Sequence, residues 1–133
     1  MSTALAPVDV VRAFFSDVGT DGPVAAYERW LAPDVLWTNC GRPDCHSVDE
    51  VIALEREAQS GLGYQTWTAE LRSIAADGDV VLTDRIDRLL TPDGDVLVEI
   101  EVMGSLLVAD GRIVEWREYF DGPKIRESLG ITT

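Results

Sequence analysis

The sequence predicts an α+β fold: a cone-shaped, strongly curved, mixed or antiparallel β-sheet closed by three N-terminal helices. Three observations predict it. Apolar residues recur at helical spacing in the first half of the chain and alternate in the second. The alternating runs are separated by Asp-Gly pairs, the strongest short hairpin signal. Four consecutive strands follow three helices, an α+β order and not an alternating βαβ one. A strongly bent sheet covered by helices leaves a pocket at the wide end of the cone.

Each element has its own signal. Pro7 opens a first helix whose Val10, Val11, Phe14, Phe15 and Val18 form one buried stripe. "TDG" breaks it, and Pro23 opens a second, short helix through Trp30 and Leu31. Pro33 and Asp34 end that helix and lead into a short strand, "VLWTNC". Ser47 and Glu50 have capping-box spacing and start a third helix through about Gln59, where "SGLG" stops it. Four strands follow, "YQTWTAELRSIA", "DVVLTDRIDRLL", "DVLVEIEVMGSLLV" and "RIVEWREYF", with turns at "ADGD", "TPDGD" and "ADGR". Gly104, inside a strand, reads as a bend or bulge that aids curvature. "GPKIRESLG" reads as a short closing helix.

Composition narrows the function classes. The 133 residues make one domain, residues 1–133, with no linker, repeat or low-complexity segment. The hydrophobic fraction is 46% and the charged fraction 26%, an ordinary globular mixture. A net charge of −13 repels phosphate backbones and anionic lipid, which argues against nucleic-acid and membrane partners. The opening "MSTALAP" has no basic, leader-like pattern, and no apolar run approaches the ~20 residues of a membrane span. The expected location is the cytoplasm. Cys40, Cys45 and the single His46 cannot complete a four-ligand zinc site, so they read as loop residues with reduced thiols, a short-loop disulfide being the geometric alternative. With histidine so scarce, acid-base chemistry falls to carboxylates.

The candidate carboxylates follow from strand alternation. In "IVEWREYF", Val114, Trp116, Glu118 and Phe120 share a face. Three are large and apolar, so Glu118 is expected to point inward. In "VLTDRIDRLL", Arg85 and Asp87 share a face with Val81, Thr83 and Leu89, while Leu82, Asp84, Ile86 and Arg88 share the other. Periodicity leaves open which face is interior. On the short strand Val35, Trp37 and Asn39 share a side, and Asn39 can equally serve a turn before Gly41.

Taken together, "WTN", "DRIDRL" and "WREYFD", in this order, resemble the limonene-1,2-epoxide hydrolase family. That family shares its cone-shaped fold with nuclear transport factor 2 and the SnoaL-like polyketide cyclases. The resemblance covers nearly the whole chain. It implies one-step opening of a small apolar epoxide by water to a vicinal diol, without cofactor or metal, in a homodimer. Arg85 and Asp87 match the family's Arg-x-Asp pair, and Asn39 matches the asparagine that holds the water. Glu118 falls where the family has its second aspartate, and Trp37 where it usually has a water-binding tyrosine. By this resemblance Asp87 protonates the epoxide oxygen and Glu118 takes a proton from water. Trp116, Leu106, Phe120 and Trp67 are the expected substrate-binding walls.

Two other readings share the scaffold. One is an epoxide-opening or polyketide cyclase, where the substrate's own nucleophile replaces water. The other is a non-catalytic module that binds a hydrophobic ligand. An isomerase would want an inward tyrosine, but Tyr119 falls on the outward face and Tyr27 on a helix.

Overall fold

The computed structural model describes residues 5–131. Residues 1–4, which belong to the opening stretch searched for a leader pattern, and residues 132–133 lie outside the described residues. Helix α1 (Pro7–Asp21) buries the predicted stripe from Val10 to Val18, and Gly22 separates it from α2 (Pro23–Trp30). Strand β1 (Leu31–Asn39) follows without a loop. Helix α3 (Val48–Leu62) leads to the strands β2 (Thr66–Asp77), β3 (Val80–Leu90), β4 (Val96–Ala109) and β5 (Arg112–Tyr119), and α4 (Gly122–Ser128) is the last element among the described residues.

The five strands form one curved, unclosed sheet in the order β1-β5-β4-β3-β2. Strands β2 to β5 are an antiparallel meander, and β1 joins its edge parallel to β5. In the β4–β5 turn, Asp110 (φ 52°) and Gly111 (φ 77°) are both left-handed, the type I′ geometry that Asp-Gly favours. Helix α1 lies across the concave face, touching β2, β3, β4 and β5, and α2 and α3 complete the cover. The core is aromatic at its centre, where Phe14 meets Trp116 edge-on with ring centroids 5.2 Å apart.

Four local expectations are corrected. Strand β1 starts at Leu31, before Pro33. It is an edge strand whose pairing with β5 slips between Leu31 and Leu36, so the missing Pro33 N–H costs no ladder bond. Helix α3 continues past Gln59 to Leu62, with Gly61 inside it and Gly63 as its left-handed cap. Its start is as expected: the Ser47 hydroxyl accepts from the Glu50 N–H at 3.1 Å, and the Glu50 carboxylate accepts from the His46 N–H at 2.7 Å. On β5, Val114 does not share the inward face. The β4–β5 register slips between Leu107 and Val108, so Ile113 is fully buried and alternation resumes with Trp116 and Glu118. Gly104 sits in regular pairing, opposite Thr83 on one side and Glu118 on the other, and makes no bulge.

Candidate active site

Strand β3 resolves the open question of its faces. Val81, Thr83, Arg85, Asp87 and Leu89 are all buried, and the opposite face carries exposed ion pairs of Arg72 with Asp84 and of Arg88 with Glu70 and Glu99. Arg85, Asp87 and Glu118 therefore meet inside the cone. Arg85 is completely buried, Asp87 is 8% exposed and Glu118 is 5% exposed.

The guanidinium grips both acids bidentately. Nε and Nη2 donate to Asp87 at 3.0 and 2.8 Å, and Nη1 and Nη2 donate to Glu118 at 3.0 and 2.6 Å. A second Nη1 proton reaches the Thr83 hydroxyl at 3.2 Å. All five guanidinium N–H groups are thus used, a fork geometry that lysine cannot reproduce. Phe15 of α1 lies under the guanidinium, 4.2 Å from ring centroid to Cζ.

Gly104 makes this packing possible. A Cβ there would lie 2.8 Å from Arg85 Nη1 and from Glu118 Oε2, and 2.9 Å from Thr83 Oγ1. The glycine is needed for close approach and not for its backbone freedom.

Burial dominates the electrostatics. Loss of solvent pushes the Glu118 carboxyl up to about 7, against the pull of Arg85. The Asp87 charge pushes the same way, while the Trp116 N–H, outside hydrogen-bond geometry, draws it slightly back. Burial alone would lower Arg85, but the Glu118 and Asp87 charges outweigh it and hold the guanidinium above its ordinary range. With both acids ionised the trio carries −1; with one proton it is neutral, the form that is cheaper to bury.

A cavity of about 560 Å³ opens beside the trio. Asp87 and Glu118 line it, with Asn39, Trp37, Trp116, Trp67 and Phe120. Strand pairing places Asn39 opposite Glu118 and Trp37 opposite Trp116. The two indoles stack at 4.9 Å between ring centroids, and neither buried N–H finds an acceptor among the described residues. Leu106 is different. It is sealed in the core between Val81 and Trp116 and is not a cavity wall. Cys40 is exposed and Cys45 buried, both as free thiols, and Cys45 pairs with the Trp37 backbone through two 2.9 Å hydrogen bonds.

Sequence reasoning missed a second polar cluster in this cavity. Glu55 on α3 is 5% exposed and accepts from the Tyr27 and Tyr64 hydroxyls and from Trp67 Nε1. Tyr27, set aside as a helix residue, is inward and its proton is committed to Glu55. The available signal was the helical spacing of Glu55 from Val51, four residues earlier on the buried face.

The described residues thus define an α+β cone with an arginine-bridged acid pair on the wall of an open cavity. The sequence profile of the limonene-1,2-epoxide hydrolase catalytic domain matches residues 5–129, and the chain belongs to that family. The epoxide hydrolase EphG of Mycobacterium tuberculosis is 35% identical over 91 residues, spanning 68% of this chain and 58% of that protein. An epoxide hydrolase structure from M. tuberculosis, of the same limonene-epoxide-hydrolase-like type, superposes with a TM-score of 0.76 at 28% identity. The superposition covers 96% of this chain and 89% of that one. A Jannaschia protein assigned to the SnoaL-like polyketide cyclases shares the fold, with a TM-score of 0.75 at 15% identity over 96% of this chain and 93% of that one.

Proposed function

We propose that the protein hydrolyses a small epoxide to a vicinal diol, using one carboxyl of the arginine-bridged pair as acid and the other as base. The observation that carries this reading is the burial of two carboxyls on one fully engaged guanidinium at a cavity wall. Solvent-exposed ion pairs would have no such use. The family membership and the relatives' stated activity support the same chemistry.

Position supports one assignment of the roles. Asn39 and Trp37 stand across from Glu118 and Trp116, so the attacking water belongs at Glu118. The Asn39 side chain orients it. The Trp37 indole, whose buried N–H offers no surface to a water, stacks on Trp116 as a wall where a tyrosine could donate and accept. Glu118 removes a proton from that water as its oxygen bonds to a ring carbon. The carbon–oxygen bond of the ring breaks, and Asp87 supplies a proton to the leaving oxygen. Glu118 ends neutral, the form that its burial favours, and a carboxyl raised to about 7 is a stronger base than an ordinary one. Moving the shared proton from Glu118, which holds it at rest, to Asp87 restores the reactive arrangement. Trp67, Trp116 and Phe120 wall the substrate, and no step calls for a metal or cofactor.

The catalytic form holds one shared proton. Above about pH 7 that proton is lost, the trio becomes anionic and no acid remains. kcat/KM is expected to fall about tenfold per pH unit on the alkaline side of a midpoint near 7, measured at constant ionic strength. A flat profile from pH 6 to 9 would contradict the shared-proton arrangement.

The reaction itself is tested with a panel of epoxides in oxygen-18 water, read by mass spectrometry. Diol carrying one heavy oxygen is the expected product. Unlabelled cyclic product would instead assign the scaffold to epoxide-opening cyclisation, a reading that Trp37, as a wall, would tolerate. A homodimer is part of the proposal, since Leu82, Met103 and Tyr119 place exposed apolar surface on the outer face of the sheet.

A further inference from the structure

The proposed epoxide opening makes no use of the Glu55 cluster, yet the cluster lines the same cavity. Its hydrogen bonds can be counted. Glu55 Oε1 accepts from both the Tyr27 hydroxyl and Trp67 Nε1, whose bond is 2.9 Å long, and Oε2 accepts from the Tyr64 hydroxyl alone. A carboxylate offers about four lone-pair positions, so one on Oε2 remains open. Both phenols spend their only proton on Glu55 and keep lone pairs on their oxygens. Burial and the Glu55 charge push both tyrosines well above their ordinary range, so they stay protonated donors to it. The polar atoms that this cluster leaves free are therefore all acceptors. Among the described residues no cation pairs with Glu55.

Such a wall recognises a hydrogen-bond donor and rejects an acceptor, because two acceptors face to face leave both desolvated and unpaired. The donor's charge can also be inferred. Arg42 lines the cavity, and its charge is felt at Tyr64. Three hydrogen bonds already compensate the Glu55 charge, and the one open lone pair is what a single neutral hydroxyl fills.

We propose that Glu55, with Tyr27, Tyr64 and Trp67, forms a subsite for a hydroxyl group, so that the substrate is an epoxide that also carries an alcohol. The identity of the epoxide end rests on the hydrolase reading; the alcohol subsite stands on its own geometry.

The test uses unreactive ligands, so that it does not depend on turnover. 4-tert-Butylcyclohexanol, its methyl ether, the parent hydrocarbon and the corresponding amine are titrated into the protein, and binding is read by intrinsic tryptophan fluorescence and calorimetry. The alcohol is expected to bind about tenfold more tightly than the ether, as one added hydrogen bond to a carboxylate predicts. In Glu55→Gln, whose amide both donates and accepts, that ratio should drop to within about threefold. Unchanged near-ultraviolet circular dichroism would certify the fold. Tyr64→Phe vacates a further lone pair on Oε2 and should keep a ratio at least as large as the wild type's, which covers the case of an unfolded glutamine variant.

Equal affinities for alcohol and ether would overturn the proposal. So would a ratio unaltered in folded Glu55→Gln, which would make the cluster a pin between helices and sheet, or an amine that binds better than the alcohol. Epoxide turnover without an alcohol preference removes the subsite and leaves hydrolysis standing. Alcohol preference in a protein that opens no epoxide does the reverse.

Discussion

Glu118→Gln is expected to lose about 10³-fold in turnover, within the range of general acid-base contributions, while gaining stability relative to the wild type as pH rises. The activity loss follows because an amide cannot take a proton from water. The stability change follows from the raised Glu118 carboxyl. Its folded value, about 7, lies above the ordinary 4.5, so the native state holds that proton more tightly than the unfolded chain does. The stability this confers is complete below about pH 4.5 and is lost as pH rises through about 7. At pH 8 the wild type buries a trio of net charge −1, whereas the glutamine variant buries a neutral Arg85–Asp87 pair. Between pH 5 and 8 the variant should gain on the order of 2 kcal/mol over the wild type, a shift of roughly 5 °C in relative Tm. Thermal unfolding at the two pH values, together with kcat/KM, measures both. Full activity in the variant would remove Glu118 as the base, and a pH-independent Tm difference would remove the shared proton.

Gly104→Ala should be the most damaging of the protein's glycine-to-alanine changes. The new carbon would fall within 2.8 Å of both partners in the Arg85–Glu118 ion pair. Neither end can yield cheaply. Arg85 is held by five hydrogen bonds and stands over Phe15, and Glu118 lies on the facing strand. Breaking a buried ion pair costs about 3–5 kcal/mol, and displacing a catalytic group by ~1 Å costs about 100-fold in rate. Denaturant unfolding and kcat/KM should both record the loss. Gly61→Ala is the control: it adds a methyl group to α3 with no heavy atom within 4 Å and should stabilise the protein by about 0.5–1 kcal/mol. If Gly104→Ala behaves like Gly61→Ala, the trio is plastic and its geometry is not the source of the chemistry.

The α+β order, the buried stripe of α1 and the hairpin turns could be read from local patterns, because each depends on residues a few positions apart. The inward aim of Glu118 was legible for the same reason, from Trp116 and Phe120 beside it. The faces of β3 were not. Arg88 and Asp84 on the outer side imitate Arg85 and Asp87 on the inner side, and only the helix packed against the sheet breaks the tie. The role of Gly104 depends on side chains from both neighbouring strands, a relation that no linear spacing encodes. Glu55 resembles a solvated helix glutamate until Tyr27, Tyr64 and Trp67 are brought to it from three other segments. Leu106 alternated correctly toward the interior, but interior proved to mean the solid core and not the cavity.

The parallel pairing of β1 with β5 sets a timetable for the molecule's assembly. The meander from β2 to β5 can zip through successive local turns, whereas β1 must close a loop from Leu31 to Ile113 before it gains a single ladder bond. Asn39 and Trp37 arrive with that final strand. A nascent or partly folded chain can therefore hold the arginine and its two acids and still lack the asparagine proposed to aim the nucleophile, so on that reading catalytic competence is conferred last.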